Sequence, residues 1–309
     1  MKPHIFIHGI MPRSGTNFLN QLILLHPQCE EPSKRIRENW LLYYSNPLYE
    51  YINSLNNKWL HPTWIGSDFN VAELKHKIGA TFIDFLSEEI DTKNSLLVSK
   101  TPKVENIHRF FELFPKDKLL IIIRDPKDVV ASTYKSWGID SSSVIKEWNK
   151  AANIIQNFEK NSDSNSYILL RYEDLIANSS NYLNQLLEFC ELDKSQFPWD
   201  EVNKLPIFGS SEGDKWKVKE KNISFKPIGR WVSLPKAQLR MLELDYNDKL
   251  AEYFGYKGLE EGYNDLPTKD ERLKLNYQTN SLVIERDKSI KERIRYLKIG
   301  FKSIIKAFK

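Results

Sequence analysis

The sequence predicts an α/β fold: a doubly wound parallel sheet flanked by helices, in a single domain that carries an amphipathic helical tail. Three observations predict it. Short apolar runs at 5–7, 95–99, 118–124 and 166–172 are each followed by a segment of helical spacing. The run "KLLIIIR" (118–124) is continuously apolar up to its arginine, as a parallel strand covered on both faces requires. A Gly/Ser/Thr-bearing loop, "HGIMPRSGTNF" (8–18), joins the first strand to the first helix in a P-loop-like arrangement.

The elements follow in order. "IFI" (5–7) is a buried strand, and 16–25 is a helix with Phe18, Leu19, Leu22 and Leu25 on one face. A second helix is expected over 33–44, then a loop-rich excursion over 46–68 containing Pro47, Pro62 and Gly66. A longer helix covers 71–90, and "SLLVS" (95–99) is a strand. Thr101-Pro102 reads as a helix start, with proline at the first helical position. After the strand at 118–124, Asp125-Pro126 caps a helix through Trp137, and Asp128 suits its first turn. Helices are expected at 143–159, 179–191 and 235–254, and a fourth strand at 166–172. The stretch 205–231 is rich in Gly, Pro and Lys and reads as an ordered loop; there is no internal repeat. A ligand of such a sheet lies beyond the carboxyl ends of its strands, where the first loop, Arg124 and Arg171 converge.

Bulk composition narrows the function classes. The 309 residues are 41% hydrophobic and 12% aromatic, enough to fill a sizeable core. Lys+Arg 45 nearly offsets Asp+Glu 41, and a net charge of +4 does not by itself indicate a nucleic-acid partner. Two cysteines, Cys29 and Cys190, fit a reducing compartment. No secretory leader pattern and no run of 18 apolar residues is seen, so a cytoplasmic location is expected.

The loop itself suggests an anion site. Gly15 lets the backbone approach an anion closely, and the amides that follow belong to a helix N-terminus. Ser14, Thr16 and Asn17 add side-chain donors, and Arg13 adds fixed charge. Gly9 and Gly15 are one residue too far apart for a nucleoside-triphosphatase loop, and Thr16 stands where its lysine would be. Eight residues separate Arg124 from Ser132; an arginine fork plus a hydroxyl can hold a phosphate monoester. The competing reading pairs Arg124 with Asp125 or Asp128 as an ordinary ion pair.

These motifs resemble those of sulfotransferases that use 3′-phosphoadenosine-5′-phosphosulfate (PAPS), in a style similar to bacterial, glycan-modifying relatives. "PRSGTNFL" is similar to the family's 5′-phosphosulfate loop and "IIIRDPKDVVASTY" (121–134) to its 3′-phosphate motif. "KTP" (100–102), "YEDL" (172–175) and "FKPIGRW" (225–231) match further segments in order, so the resemblance covers roughly residues 4–250. It implies a cytoplasmic PAPS-dependent sulfotransferase with adenosine 3′,5′-bisphosphate as product and no required metal. It further implies that Arg13, Ser14, Gly15, Thr16 and Asn17 hold the 5′-phosphosulfate, that Phe18 lies near adenine, and that Arg124, Ser132, Gly229 and Arg230 hold the 3′-phosphate. Lys100 resembles the lysine that stabilises the leaving group, and Arg13 is a further catalytic candidate. Where phenol- and steroid-acting relatives carry a histidine, this chain has Pro102. Glycan-modifying relatives use a glutamate; Glu38, in "RENW", is the best match for the base, Glu31 the second, and His8 a further candidate. The expected acceptor is a carbohydrate or glycolipid hydroxyl, for which Trp40, Tyr43, Tyr44, Trp59 and Trp64 would supply stacking surface. A small-molecule alcohol or amine acceptor, and a kinase-like phosphotransferase, are the alternatives.

The domain is expected to span 1–257, and 258–309 to form a polar linker and a basic amphipathic helix. Ile290, Ile294, Leu297, Phe301, Ile304 and Phe308 make an apolar stripe among lysines and arginines. Such a helix lies on the inner membrane surface or packs on the domain or a partner; the sequence leaves both open.

Overall fold

In the computed structural model, residues 3–32, 36–59, 70–88, 95–205 and 227–258 are described. Five parallel strands form one sheet in the order β2-β3-β1-β4-β5. They are β1 (Ile5–Gly9), β2 (Cys29–Glu30), β3 (Leu96–Thr101), β4 (Lys118–Ile123) and β5 (Tyr167–Arg171). Successive side chains point to opposite faces, so the continuous apolar runs bury both. On one face Phe6, Leu97, Leu119, Ile121 and Ile123 join a core with α3 (Val71–Leu86), α4 (Phe110–Leu113), α5 (Pro126–Trp137), α6 (Ser141–Asn161), α10 (Lys236–Asp245) and α11 (Asp248–Tyr253). On the other, Ile5, Ile7, Val98, Leu120 and Ile122 meet α1 (Thr16–Leu24), α7 (Tyr172–Ala177) and α8 (Ser179–Phe189).

β1 lies between β3 and β4, so the chain leaves it in both directions and a switch point falls at its carboxyl end. Register brings three strand ends level there: Ile7 is opposite Lys100, and Gly9 is opposite Ile122. α5 forms as expected. Asp125 Oδ1 accepts from Lys127 N at 2.8 Å, Pro126 occupies the first turn, and Gly138 ends the helix at φ 65°.

Four expectations are corrected. The helix expected over 33–44 is a series of bends and turns in its described part, because Asn39 is bonded to β3 instead. The helix begins later, at α2 (Asn46–Ser54): Pro47, read as a breaker, sits in the first turn, where no donor is required. No helix starts at Thr101-Pro102; the Thr101 hydroxyl bonds the Asn39 carbonyl, Val104 is drawn into the core, and helix resumes at Ile107–Arg109. The expected 235–254 helix is broken at Tyr246, and Asn247 Oδ1 caps the second half by accepting from Leu250 N at 3.1 Å. Residues 60–69, 206–226 and 259–309, including Trp64 and the expected tail helix, lie outside the described residues, as does the Trp59 side chain. Among the described residues no helix is long and apolar enough to cross a membrane.

Candidate active site

The loop after β1 is held by its own side chains. Ser14 Oγ donates to the Met11 carbonyl at 2.6 Å and accepts from Met11 N at 3.3 Å, so this buried hydroxyl shapes the loop. Gly15 stands at φ 99° as the N-cap of α1, and a Cβ there would meet the Tyr172 ring at 2.3 Å. Conformation and contact both require glycine. Arg13 also has positive φ, 79°, which costs a non-glycine residue about 1–2 kcal/mol and turns the loop back over the strand ends.

Arg13, Gly15, Thr16, Asn17 and Phe18 line one side of a cavity of about 440 Å³. Arg124, Ser132, Trp137, Tyr172 and Arg230 line it from the end of β4, from α5, from the start of α7 and from the turn after 229; Glu38, Trp40 and Pro102 close the rest. Arg124 is 5% exposed. Its Nη1 donates to the Arg13 carbonyl at 2.9 Å, its other terminal nitrogen donates to the Pro227 carbonyl, and the guanidinium lies 4.7 Å from the Tyr172 ring centroid. The competing ion pair with Asp125 or Asp128 is therefore not formed. Arg13 Nε donates to Ser132 Oγ at 3.0 Å, with Trp137 5.4 Å away. The Arg13 guanidinium thus stands on the Ser132 side of the cavity.

The third arginine is placed by backbone. Gly229, at φ 74°, caps the short 3₁₀ turn Arg230–Ser233. Amides of Gly229, Arg230 and Trp231 donate to the Asp128 carboxylate at 2.8, 2.6 and 3.2 Å. Burial, then the charges of Arg124 and Arg230, pushes Arg13 down to about 10. Burial and Arg124 also lower Arg230, against the pull of Asp128. Three mutually repelling guanidiniums in one cavity are balanced by a polyanion. Arg124 Nε and Asn17 Oδ1 are buried without a partner among the described residues, and the volume falls in the range of ligand pockets. The residues fit an adenosine nucleotide with two anionic ends.

The second part of the site lies at the end of β3. Lys100 is 9% exposed, and its Nζ donates to the Arg37 carbonyl at 2.9 Å. Burial lowers its pKa, opposed by Glu38 and then Glu31. The Glu38 turn is strapped to the strand: Asn39 N donates to the Lys100 carbonyl at 2.9 Å, while its side chain and carbonyl bond Ser99 and Thr101. Glu38 lines the cavity, whereas Glu31 is exposed and does not. His8 is buried with Nδ1 2.8 Å from the Lys103 carbonyl, and burial pushes it down to about 4. It does not line the cavity, and burial favours its neutral ring.

Nine of the twelve sequence-predicted residues line the one cavity; Ser14, Lys100 and Gly229 adjoin it without lining it. Arg171 does not line it either: it packs 4.7 Å from the Tyr256 ring and pairs with Asp174 at 3.5 Å. The next residue, Tyr172, lines the cavity in its place. The strand-end rule reaches that position; it does not say which of the two side chains turns inward. Trp137, Asp128 and Asn39 were also missed as site residues, the last two because their partners are distant in sequence.

The fold and this cationic cavity define an α/β transferase that takes an anionic nucleotide. Residues 3–196, more than half of the chain, match the sulfotransferase family. The chain belongs to the sulfotransferase family and is a PAPS-dependent sulfotransferase. It is similar in structure to the sulfotransferase domain from the Synechococcus PCC 7002 olefin synthase, at 19% identity over 84% of this chain and 96% of that one, with a TM-score of 0.54. Lower similarity joins it to mouse sulfotransferase SULT7A1 complexed with PAP, at 14% identity over 91% of this chain and 90% of that one (TM-score 0.45). The sulfotransferase from Alicyclobacillus acidocaldarius is 13% identical over 84% of this chain and 98% of that one (TM-score 0.44). At such identities the first likeness establishes a shared fold, and the other two bear on nothing further. No curated protein matches the sequence significantly.

Proposed function

We propose that this chain transfers the sulfuryl group of PAPS to a hydroxyl of a carbohydrate or glycolipid acceptor. The donor, when bound, supplies a sulfuryl group on a phosphate leaving group. Thr16, Asn17 and the first amides of α1 hold the 5′ end, where helix N-terminal donors have no intrahelical acceptor. Arg124, Ser132 and Arg230 hold the 3′-phosphate, Gly229 shapes the turn that presents Arg230, and Phe18 and Tyr172 flank the nucleoside. Arg13 bridges the two ends. Glu38 accepts the proton of the acceptor hydroxyl, and Lys100 sets positive charge against the leaving oxygen.

The observation that carries this reading is the convergence of three arginines, Ser132 and a carboxylate, Glu38, on one cavity. The acceptor class is supported by Trp40 in the cavity wall, with the Tyr43 ring 5.3 Å away edge-to-face and Tyr44 exposed beside it. Aromatic faces of this kind stack on sugar rings and also accept smaller alcohols. The proposed domain ends near residue 257, with the basic tail as a membrane-surface helix; binding of the full chain to anionic but not neutral vesicles tests that part.

Calorimetric titration of adenosine 3′,5′-bisphosphate beside ATP with magnesium, followed by radiolabelled sulfuryl transfer to a panel of oligosaccharides, glycolipids and simple alcohols, tests the whole. Bisphosphate binding with transfer to a glycan is the expected outcome. Transfer confined to small alcohols overturns the acceptor class, and ATP binding without bisphosphate binding overturns the donor.

A further inference from the structure

We infer that Asp128 is a positioning residue that gives the site its preference for a nucleotide carrying a 3′-phosphate. The inference rests on the reading above that Arg230 holds that group.

Asp128 does not line the cavity, and the residue is 1% exposed. Both of its oxygens are taken up by main chain, through the Gly229, Arg230 and Trp231 amides. It stands in the first turn of α5, four residues before Ser132 and four after Arg124. One short segment therefore carries two of the phosphate-binding side chains and, between them, the anchor for the loop that brings the third. That loop has reason to leave: the Arg230 charge is repelled by Arg124, and Arg230 gains charge compensation from Asp128. A carboxylate receiving three amides fixes both the position of the loop and the φ of 74° that only glycine adopts readily at 229. Read locally, an aspartate at this place merely complements a helix N-terminus. The three amides contributed from about a hundred residues away give it a second task.

The test is calorimetric titration of the full chain with adenosine 3′,5′-bisphosphate and with adenosine 5′-monophosphate. In Asp128→Asn the bisphosphate is expected to bind about tenfold or more weaker, while the monophosphate changes by less than about twofold. Added to Arg230→Ala, the same substitution should cost the bisphosphate no more than about twofold further, because the two act through one loop. Equal weakening of both nucleotides, or a full additional loss in the double variant, overturns the proposal. A wild type that does not prefer the bisphosphate overturns instead the assignment of the 3′-phosphate pocket. Should Asp128→Asn not fold, Gly229→Ala reads the same property. Its Cβ would meet nothing within 4 Å, so it disturbs the loop through φ alone. Selective loss of the bisphosphate in that variant supports the proposal, and unselective loss or none overturns it.

Discussion

The two halves of the site are built differently. The half formed by Arg124, Ser132 and Asp128 comes from the end of one strand and one helix, joined at the Asp125-Pro126 cap; Arg124 and Asp128 are buried and bonded to main chain, and the buried Ser132 hydroxyl accepts from Arg13 Nε. The half formed by Lys100 and Glu38 depends on a turn segment with no regular structure, strapped to β3 through Asn39. The first is a pre-organised charge trap and the second an assembly of a strand end and a loop. Charge binding should therefore survive damage to the chemical half, while turnover should not.

The largest expected effect follows from that separation. Glu38→Gln or Lys100→Ala should lower kcat by roughly 10²–10⁴-fold, the range for removal of a positioned acid–base or electrostatic group. The affinity for adenosine 3′,5′-bisphosphate, measured by calorimetry, should stay within about threefold of wild type, a margin of well under 1 kcal/mol. Turnover retained in Glu38→Gln but lost in Glu31→Gln would move the base to Glu31 and break the comparison as drawn.

His8 sharpens the same boundary, because it lies in β1, one residue before the strand ends and the loop begins. Its folded pKa of about 4 lies below the ordinary 6.5, so the fold favours the neutral ring. Its contribution is complete above pH 6.5 and is lost as pH falls from there through about 4, on the order of 3 kcal/mol over the whole window. Urea melts of wild type against His8→Gln should show that difference closing in acid. The pH–rate profile should keep its limbs in the variant; loss of a limb would make His8 the base.

On the charge-trap side, Arg124→Ala should weaken bisphosphate binding by about 1.5–3 kcal/mol, as for a hydrogen bond to a charged group. Arg13→Ala discriminates more finely. Its guanidinium stands against Ser132, so the expected change is in nucleotide affinity. A variant with normal affinity and lowered kcat would assign Arg13 to the chemical half.

How far the sequence could be read follows the same division. The sheet was legible because continuous apolar runs report burial on both faces whatever the topology, and α5 because its cap, its proline and its terminal glycine are local signals. Arg124 and Ser132 came with them. Asn39 could not be read: its partners are Ser99, Lys100 and Thr101, some 60 residues on, and the helix expected over 33–44 gives way to those bonds. β2 is two residues long, too short for any periodicity to declare. Asp128 was assigned the task its neighbours suggested, and its larger one depended on a loop that only the folded chain brings to it.

The smallest expected effect lies at the corner that makes the charge trap rigid. Asp125 caps α5 while burial pushes its carboxyl up to about 6. A carboxyl raised in the fold favours folding below its unfolded pKa near 3.8, and that contribution is lost as pH rises through about 6. At neutral pH the cap therefore holds a charge that burial opposes, with Lys127 at 3.6 Å as partial compensation. Asparagine caps equally well without the charge. Asp125→Asn should thus match wild-type stability within about 1 kcal/mol near pH 4, leave bisphosphate affinity intact, and gain on wild type as pH is raised from 4 to 7. Asp125→Ala, which removes the acceptor as well as the charge, should lie about 1 kcal/mol below Asp125→Asn at every pH. A large loss of nucleotide affinity in the asparagine variant would mean that the charge of Asp125, and not the geometry of its cap, holds Arg124 and Ser132 in place.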